Sequence, residues 1–206
     1  MRIGFLGTGN VASQLALGLS KAGHGVKFGS RNPNEARERI VKLGVGSVGS
    51  HSEASEFGEI MILAIPYSAV SESISAAWKL DGKIIIDVTN PLTPSFDWAI
   101  GFTTSGAEEI AKLLPEAQIV KAFNHVFAEN MATGRLGQVA LMALVAGDNA
   151  GAKQVVMSLA RDIGFDAVDA GPLKSARYME ALGMQLIALG YDQKMGTGIG
   201  FSFARK

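Results

Sequence analysis

The segment MRIGFLGTGNVASQLALGLSKAGHGVKFGSR, residues 1–31, decides how the rest of the chain is read. Ile3, Phe5 and Leu6 make a short apolar strand that runs directly into Gly7-Thr8-Gly9-Asn10-Val11-Ala12 and then into a helical pattern. A GxGxxA turn between strand and helix is the signature of a dinucleotide-binding βαβ unit. Gly7 permits the tight turn, Gly9 lets backbone approach a pyrophosphate, and Ala12 is small enough for close packing of helix on strand. The helix's free N–H groups and positive dipole end then face the phosphates. Val11, Leu15 and Leu19, with Ala12 and Ala16 beside them, form one apolar face, and Gly23 suits the helix end. A glycine turn alone is compatible with a purely structural role; the strand and helix on either side favour the nucleotide.

Cofactor identity depends on the end of the second strand, about twenty residues on, where NAD-binding folds place Asp or Glu against the ribose hydroxyls. This chain has Gly29-Ser30-Arg31-Asn32 there. A carboxylate would repel a 2′-phosphate, whereas a hydroxyl and a guanidinium offer it charge-assisted hydrogen bonds. The residues predict NADP over NAD, the plainer reading of Arg31 being an ordinary solvated charge. Asn32-Pro33-Asn34-Glu35 has the form of a helix start, with Asn as N-cap, Pro first and Glu three residues after the cap. Arg37 and Arg39 follow as secondary phosphate ligands or solvated helix charges.

Composition narrows the function classes. The 206 residues suffice for one domain with a sizeable core. Lys and Arg number 19 against 19 Asp and Glu, so no bulk field argues for nucleic acid or membrane partners, while zero net charge favours self-association. The absence of cysteine excludes disulfides, thiolate metal sites and thiol redox chemistry, and fits a cytoplasmic protein. Met1 leads into the first strand at once, so no signal peptide is expected. No apolar run approaches the roughly eighteen residues a membrane span needs.

The remaining chain alternates strands and helices. A weak third strand falls at Ser47-Val48-Gly49, and Ile60 to Ile65 is an unbroken apolar run ending at Pro66, as in a parallel strand covered on both faces. Ile84 to Val88 follows the same pattern and ends in Thr89-Asn90-Pro91. Ligands of doubly wound sheets sit outside the carboxyl ends of the strands, which sets Ala64-Ile65-Pro66-Tyr67 and Asn90-Pro91 beside the cofactor; the two prolines serve equally as strand terminators. Residues 93–104 (TPSFDWAIGFTT) lack a period and form an expected loop over the site, with Phe96, Trp98 and Phe102 as lid or anchor. A strand from Gln118 to Phe123 delivers Asn124 and His125 to the same edge. Val139 to Ala146, a helix over about 150–163 and Phe165 to Asp169 continue the alternation. Tyr178 to Leu189 reads as a helix apolar on most sides, for the core or a homodimer interface, and the glycine-rich tail reads as a pocket cover or a frayed end. The expected fold is a Rossmann-type, doubly wound, mainly parallel α/β sheet in one domain, residues 1–206, with 1–125 as cofactor-binding core and 126–206 completing sheet and pocket.

Several segments together resemble one family, the NADPH-dependent deazaflavin (coenzyme F-420) reductases, with the related cytosolic domain of metalloreductases. They are GTGNVA at 7–12, GSRNP at 29–33, LAIPY at 63–67, DVTNP at 87–91, VKAFN at 120–124 and DAGPLKSAR at 169–177. The resemblance implies NADP(H) at Gly7, Thr8, Gly9, Asn10 and Val11, with Ser30 and Arg31 on the 2′-phosphate. Ala64, Ile65, Pro66, Asn90 and Pro91 then lie toward the nicotinamide. A deazaflavin or flavin ring stacks there, in a pocket that takes in Tyr67, Asn124 and His125. Hydride passes from ring to ring, so the protein positions and excludes water. That fits the sequence, which offers no nucleophile triad, no metal-ligand cluster and no paired carboxylates at catalytic spacing. His125 has two readings, a second-ring contact able to donate a proton, or a mere loop cap. The competing function is a non-catalytic NADP-binding sensor with the 178–189 helix as its interaction surface.

Overall fold

The computed structural model describes residues 1–93, 95, 97–100 and 102–205. The opening segment forms strand β1 (Arg2–Leu6), helix α1 (Asn10–Lys21) and strand β2 (Gly25–Gly29). Helix α2 (Pro33–Leu43) starts where Asn32 accepts a hydrogen bond from the Glu35 N–H, with Pro33 in the first turn. It ends at Gly44, whose φ of 73° is the left-handed cap. Strand β3 (Ser47–Gly49), helix α3 (His51–Phe57), strand β4 (Ile60–Leu63), helix α4 (Val70–Ala77) and strand β5 (Ile84–Asp87) follow.

Helix α5 (Gly106–Leu113) and strand β6 (Gln118–Ala122) complete a six-strand parallel sheet in the order β3-β2-β1-β4-β5-β6. The order reverses between β1 and β4, the crevice where doubly wound sheets bind ligands. Strand β4 shows why the sheet is buried on both sides. Its four residues are all buried, Ile60 and Ile62 joining one apolar core and Met61 and Leu63 the other. The first core packs α1 and helix α6 (Ala150–Ile163) against the sheet, through Leu15, Leu19, Val156 and Leu159. The second holds α3, α4 and α5, through Ala54, Val70, Ile74 and Ile110.

Beyond β6 the alternation changes sense. A short hairpin of β7 (Arg135–Leu136) and β8 (Val139–Ala140) is followed by β9 (Met142–Gly147), which pairs antiparallel to β6 through Val120↔Gly147 and Ala122↔Val145. No α-helix crosses the sheet between β6 and β9, so the chain turns back at the same edge. Helix α6 then carries it to β10 (Asp166–Gly171), parallel to β9, and the eight-strand sheet is closed at that edge. Residues 126–206 thus extend the sheet begun by residues 1–125.

Helix α7 (Ala176–Ile187) begins two residues earlier than the periodicity predicts and passes into a wider π turn at Ala188–Asp192. The tail is pinned over residues 197–201: Asn130 Nδ2 donates to the Thr197 and Ile199 carbonyls, and the Met142 N–H donates to the Phe201 carbonyl. In the 93–104 segment, Leu92 and Trp98 pair as a small antiparallel bridge and Trp98 stacks on Phe102 at 5.9 Å. Phe96, expected as a lid or anchor, lies outside the described residues.

Candidate functional site

Two open clefts meet over the carboxyl ends of β1, β2, β4 and β5. The first encloses about 670 Å³ and the second about 660 Å³. They share Gly9, Ala64, Ile65, Pro66 and Ser68, so the glycine turn lies at their junction.

The two glycines of the turn have different physical reasons. Gly7 sits at φ 114°, and a Cβ there would lie 2.3 Å from the Ala64 carbonyl oxygen. It is required by the fold, because the turn is pressed against the end of β4. Gly9 has an extended backbone and caps α1 without any side-chain hydrogen bond. A Cβ on Gly9 would meet nothing within 4 Å. The missing side chain leaves open space at a helix N-terminus, an opening of the kind that suits a pyrophosphate.

The first cleft also gathers Thr8, Ser30, Arg31, Arg39, His51 and Glu72. Ser30 is fixed from both sides, its N–H donating to the Gly49 carbonyl and its Oγ accepting from the Asn32 N–H at 3.1 Å. The Arg31 guanidinium is largely exposed and lies 3.7 Å from the Glu72 carboxylate, which would compete with any anion for it. Arg39 reaches across the mouth and donates to Asn10 Oδ1 at 2.6 Å, whereas Arg37 does not line the cleft. His51 opens helix α3. It is buried and lines the same cleft, and burial together with the Arg31 charge pushes its pKa down, Glu72 opposing. The signal lay in Ser50 and Glu53, a capping box that fixes His51 just beyond β3.

The second cleft adds Asn10, Val11, Tyr67, Val88, Thr89, Asn90, Leu92 and Thr93. Burial, helped by the negative charges of Glu109, Glu180 and Asp87, pushes the Tyr67 phenol up to about 12, so it is a neutral hydroxyl near pH 7. Pro91 does not line this cleft; its carbonyl accepts from the Ala99 N–H and secures the following loop.

Asn124 and His125, expected in the substrate pocket, are placed elsewhere. Both are buried and neither lines either cleft. Asn124 Nδ2 donates to Asn90 Oδ1 and to the Met179 carbonyl, so it positions a cleft residue from behind. His125 Nε2 accepts from the Leu144 N–H at 3.3 Å, and its Nδ1 faces Asn124 Oδ1. Burial lowers its pKa to about 4. The expectation of His125 as a second-ring contact and proton donor is corrected, because the β9 backbone occupies the ring and the imidazole stays neutral.

The sequence also concealed a charged cluster. Lys121 Nζ lies 2.9 Å from Asp87 Oδ2 and 3.0 Å from Glu180 Oε1, and it donates to the Thr89 carbonyl at 2.5 Å. Asp87 and Lys121 are direct partners in the β5–β6 register. Glu180 comes from α7 and accepts from the Gly106 and Ala107 N–H groups at the start of α5. The available clue was a lone Asp and a lone Lys as the only charges in β5 and β6. No group of three His, Asp or Glu side chains suited to a metal ion occurs among the described residues, and no described helix is long and apolar enough to cross a membrane.

Comparison with known proteins agrees with this arrangement. Residues 2–91, from β1 through the strand ends that border the second cleft, match the family model described as NADP oxidoreductase coenzyme F420-dependent. Metalloreductase STEAP3 of Rattus norvegicus is 35% identical over 187 residues, which is 90% of this chain, but the chain spans only 37% of that relative's length. The crystal structure of a putative F420-dependent NADP reductase from Arthrobacter sp. FB24 superimposes with a TM-score of 0.91 at 27% identity over the whole of both chains. The F420-dependent NADP reductase of Methanocaldococcus jannaschii is 32% identical over 97% of this chain and 97% of its own length. With that identity sustained from end to end, the chain belongs to the F420-dependent NADP reductase family.

Proposed function

We propose that this protein is an NADP(H)-dependent oxidoreductase whose second substrate is coenzyme F-420 or a related flavin-like ring. The observation that carries the reading is the open cradle at Gly9, shared by two clefts of which one ends at Ser30 and Arg31 and the other at Tyr67, Thr89 and Asn90. Gly7 to Val11 hold the pyrophosphate at the α1 N-terminus, and Ser30 and Arg31 hold the 2′-phosphate, with Arg39 at the mouth. Ala64, Ile65 and Pro66 line both clefts and lead from one to the other, which supports a nicotinamide end in the second. A nicotinamide bound there would supply hydride-transfer chemistry to a flavin-like second ring. The protein's part is to orient and to exclude water: Tyr67 and Asn90 wall the second cleft, and Leu92 and Thr93 bring the loop to its rim.

The same reading makes residues 1–206 one NADP-binding domain acting in the cytoplasm as a homodimer. Balanced charge and the exposed Tyr178 of α7 support self-association, and the absence of cysteine fits a reducing compartment. The test is NADPH oxidation followed at its absorbance with coenzyme F-420, FMN and FAD offered in turn. Turnover with one of them is expected. NADPH binding without turnover on any acceptor overturns the catalytic reading and favours a nucleotide-sensing module.

A further inference from the structure

Asp87, Lys121 and Glu180 are each at most 1% exposed, and together they carry two formal negative charges and one positive. A buried ionic cluster is weak evidence for stability, since apolar replacements of equal volume are often as stable. Its location is more informative. Thr89 lines the second cleft, and its two backbone polar groups are both taken by the cluster, the N–H by Asp87 Oδ1 at 2.9 Å and the carbonyl by Lys121. On the other side, Tyr67 lines the cleft and packs over Gly106, whose N–H donates to Glu180. The cluster is thus separated from the cleft by Thr89 alone in one direction and by Gly106 and Tyr67 in the other. Its field reaches the cleft as well, because Asp87 and Glu180 are among the charges that hold the Tyr67 phenol protonated.

A nicotinamide ring carries a formal positive charge when oxidised and none when reduced. A fixed net negative charge nearby discriminates between these states, and a low-dielectric interior leaves that discrimination largely unscreened. We propose that the buried Asp87–Lys121–Glu180 cluster biases the second cleft toward the oxidised ring, tightening NADP⁺ relative to NADPH and so setting the balance of the hydride exchange. This rests on the assignment of the second cleft to the nicotinamide end.

The test is calorimetric binding of NADP⁺ and of NADPH, without acceptor, to the wild-type protein and to Glu180→Gln, which keeps the side chain's shape and an acceptor for the α5 N–H groups. The ratio Kd(NADP⁺)/Kd(NADPH) is expected to rise on the order of tenfold, the effect of removing one nearby charge at the effective dielectric of a protein site. A purely structural role moves both constants together, and an unchanged ratio overturns the proposal. Asp87→Asn serves as the second variant, with the same expected direction, and circular dichroism verifies the fold of each. Should both variants unfold, the wild-type ratio decides: a buried cluster keeps it within about twofold between about 0.05 and about 0.5 M salt, and a collapse toward unity overturns the proposal. Wild-type protein that binds neither nucleotide sinks the underlying cofactor reading instead.

Discussion

Asn90 and Asn124 clasp one another across the ends of two neighbouring strands: Asn124 Nδ2 donates to Asn90 Oδ1 and Asn90 Nδ2 donates to the Asn124 carbonyl, each at 3.0 Å. The second amide proton of Asn124 Nδ2 is donated to the Met179 carbonyl of α7 at 2.8 Å. Asn124→Ala removes two of these three bonds and leaves the Met179 carbonyl and Asn90 Oδ1 without that donor. The expected loss is about 2 to 3 kcal/mol in urea unfolding, with NADPH affinity reduced less than the rate with acceptor, because the clasp aligns the second cleft rather than the first. A variant as stable as wild type shows that the clasp is redundant.

The two turn glycines should part company on substitution. Gly9→Val is expected to stay within about 1 kcal/mol of wild-type stability, since nothing in the protein occupies the space. It should abolish nucleotide binding in calorimetry. Gly7→Ala should instead destabilise by more than about 2 kcal/mol, from the positive φ and the collision with the Ala64 carbonyl. Retained NADPH binding by the Gly9 variant would place the nucleotide elsewhere.

Arg31 is exposed and paired only loosely with Glu72, so its substitution should leave the melting temperature nearly unchanged. Arg31→Glu is expected to cost about 2 kcal/mol of NADPH affinity, roughly 30-fold, while NADH changes little. Glu72→Gln should act in the opposite direction and tighten NADPH, by releasing Arg31 for the 2′-phosphate. Equal losses for both nucleotides in the Arg31 variant would refute the specificity assignment.

His125 makes stability depend on pH in a definite window. Its folded pKa, about 4, lies below the ordinary value of 6.5, so the unfolded chain takes up a proton first as the solution is acidified. The contribution of the neutral buried ring is complete above pH 6.5 and is lost progressively down to about pH 4, on the order of 3 kcal/mol in all. Stability curves of His125→Gln should be flatter than wild type as the pH falls from about 6.5 to about 5.5, above the range in which most carboxylates titrate. Parallel curves for the two proteins would show that the ring is not the titrating group.

The parts of the fold governed by local chemistry were legible in the sequence. Asn32, Pro33 and Glu35 announced the start of α2 because a cap, a fixed φ and a side-chain hydrogen bond all operate within four residues. Strand β4 was legible because burial on both faces forces an unbroken apolar run. The reversal at β9 was not, since strand direction depends on where the chain crosses the sheet and leaves no mark in side-chain periodicity. The same holds for the site. Gly7 and Gly9 stand in one short turn, whereas Asp87, Lys121 and Glu180 meet only through β5–β6 register and the docking of α7. His125 misled because it follows a strand at the ligand edge, yet Phe123, at φ 63°, turns the chain there and the imidazole ends against β9.

Glu180 has a consequence for how the protein is made. It lies late in the chain, yet it supplies the second carboxylate to Lys121 and accepts from the first N–H groups of α5. A nascent chain that has left the ribosome only through β6 already carries the glycine turn and the Ser30-Arg31 rim, but Lys121 has one carboxylate partner instead of two. The floor behind the second cleft is therefore secured only when α7 docks, a long-range closure that the glycine turn, tied to Gly29 and to the end of β4, does not share.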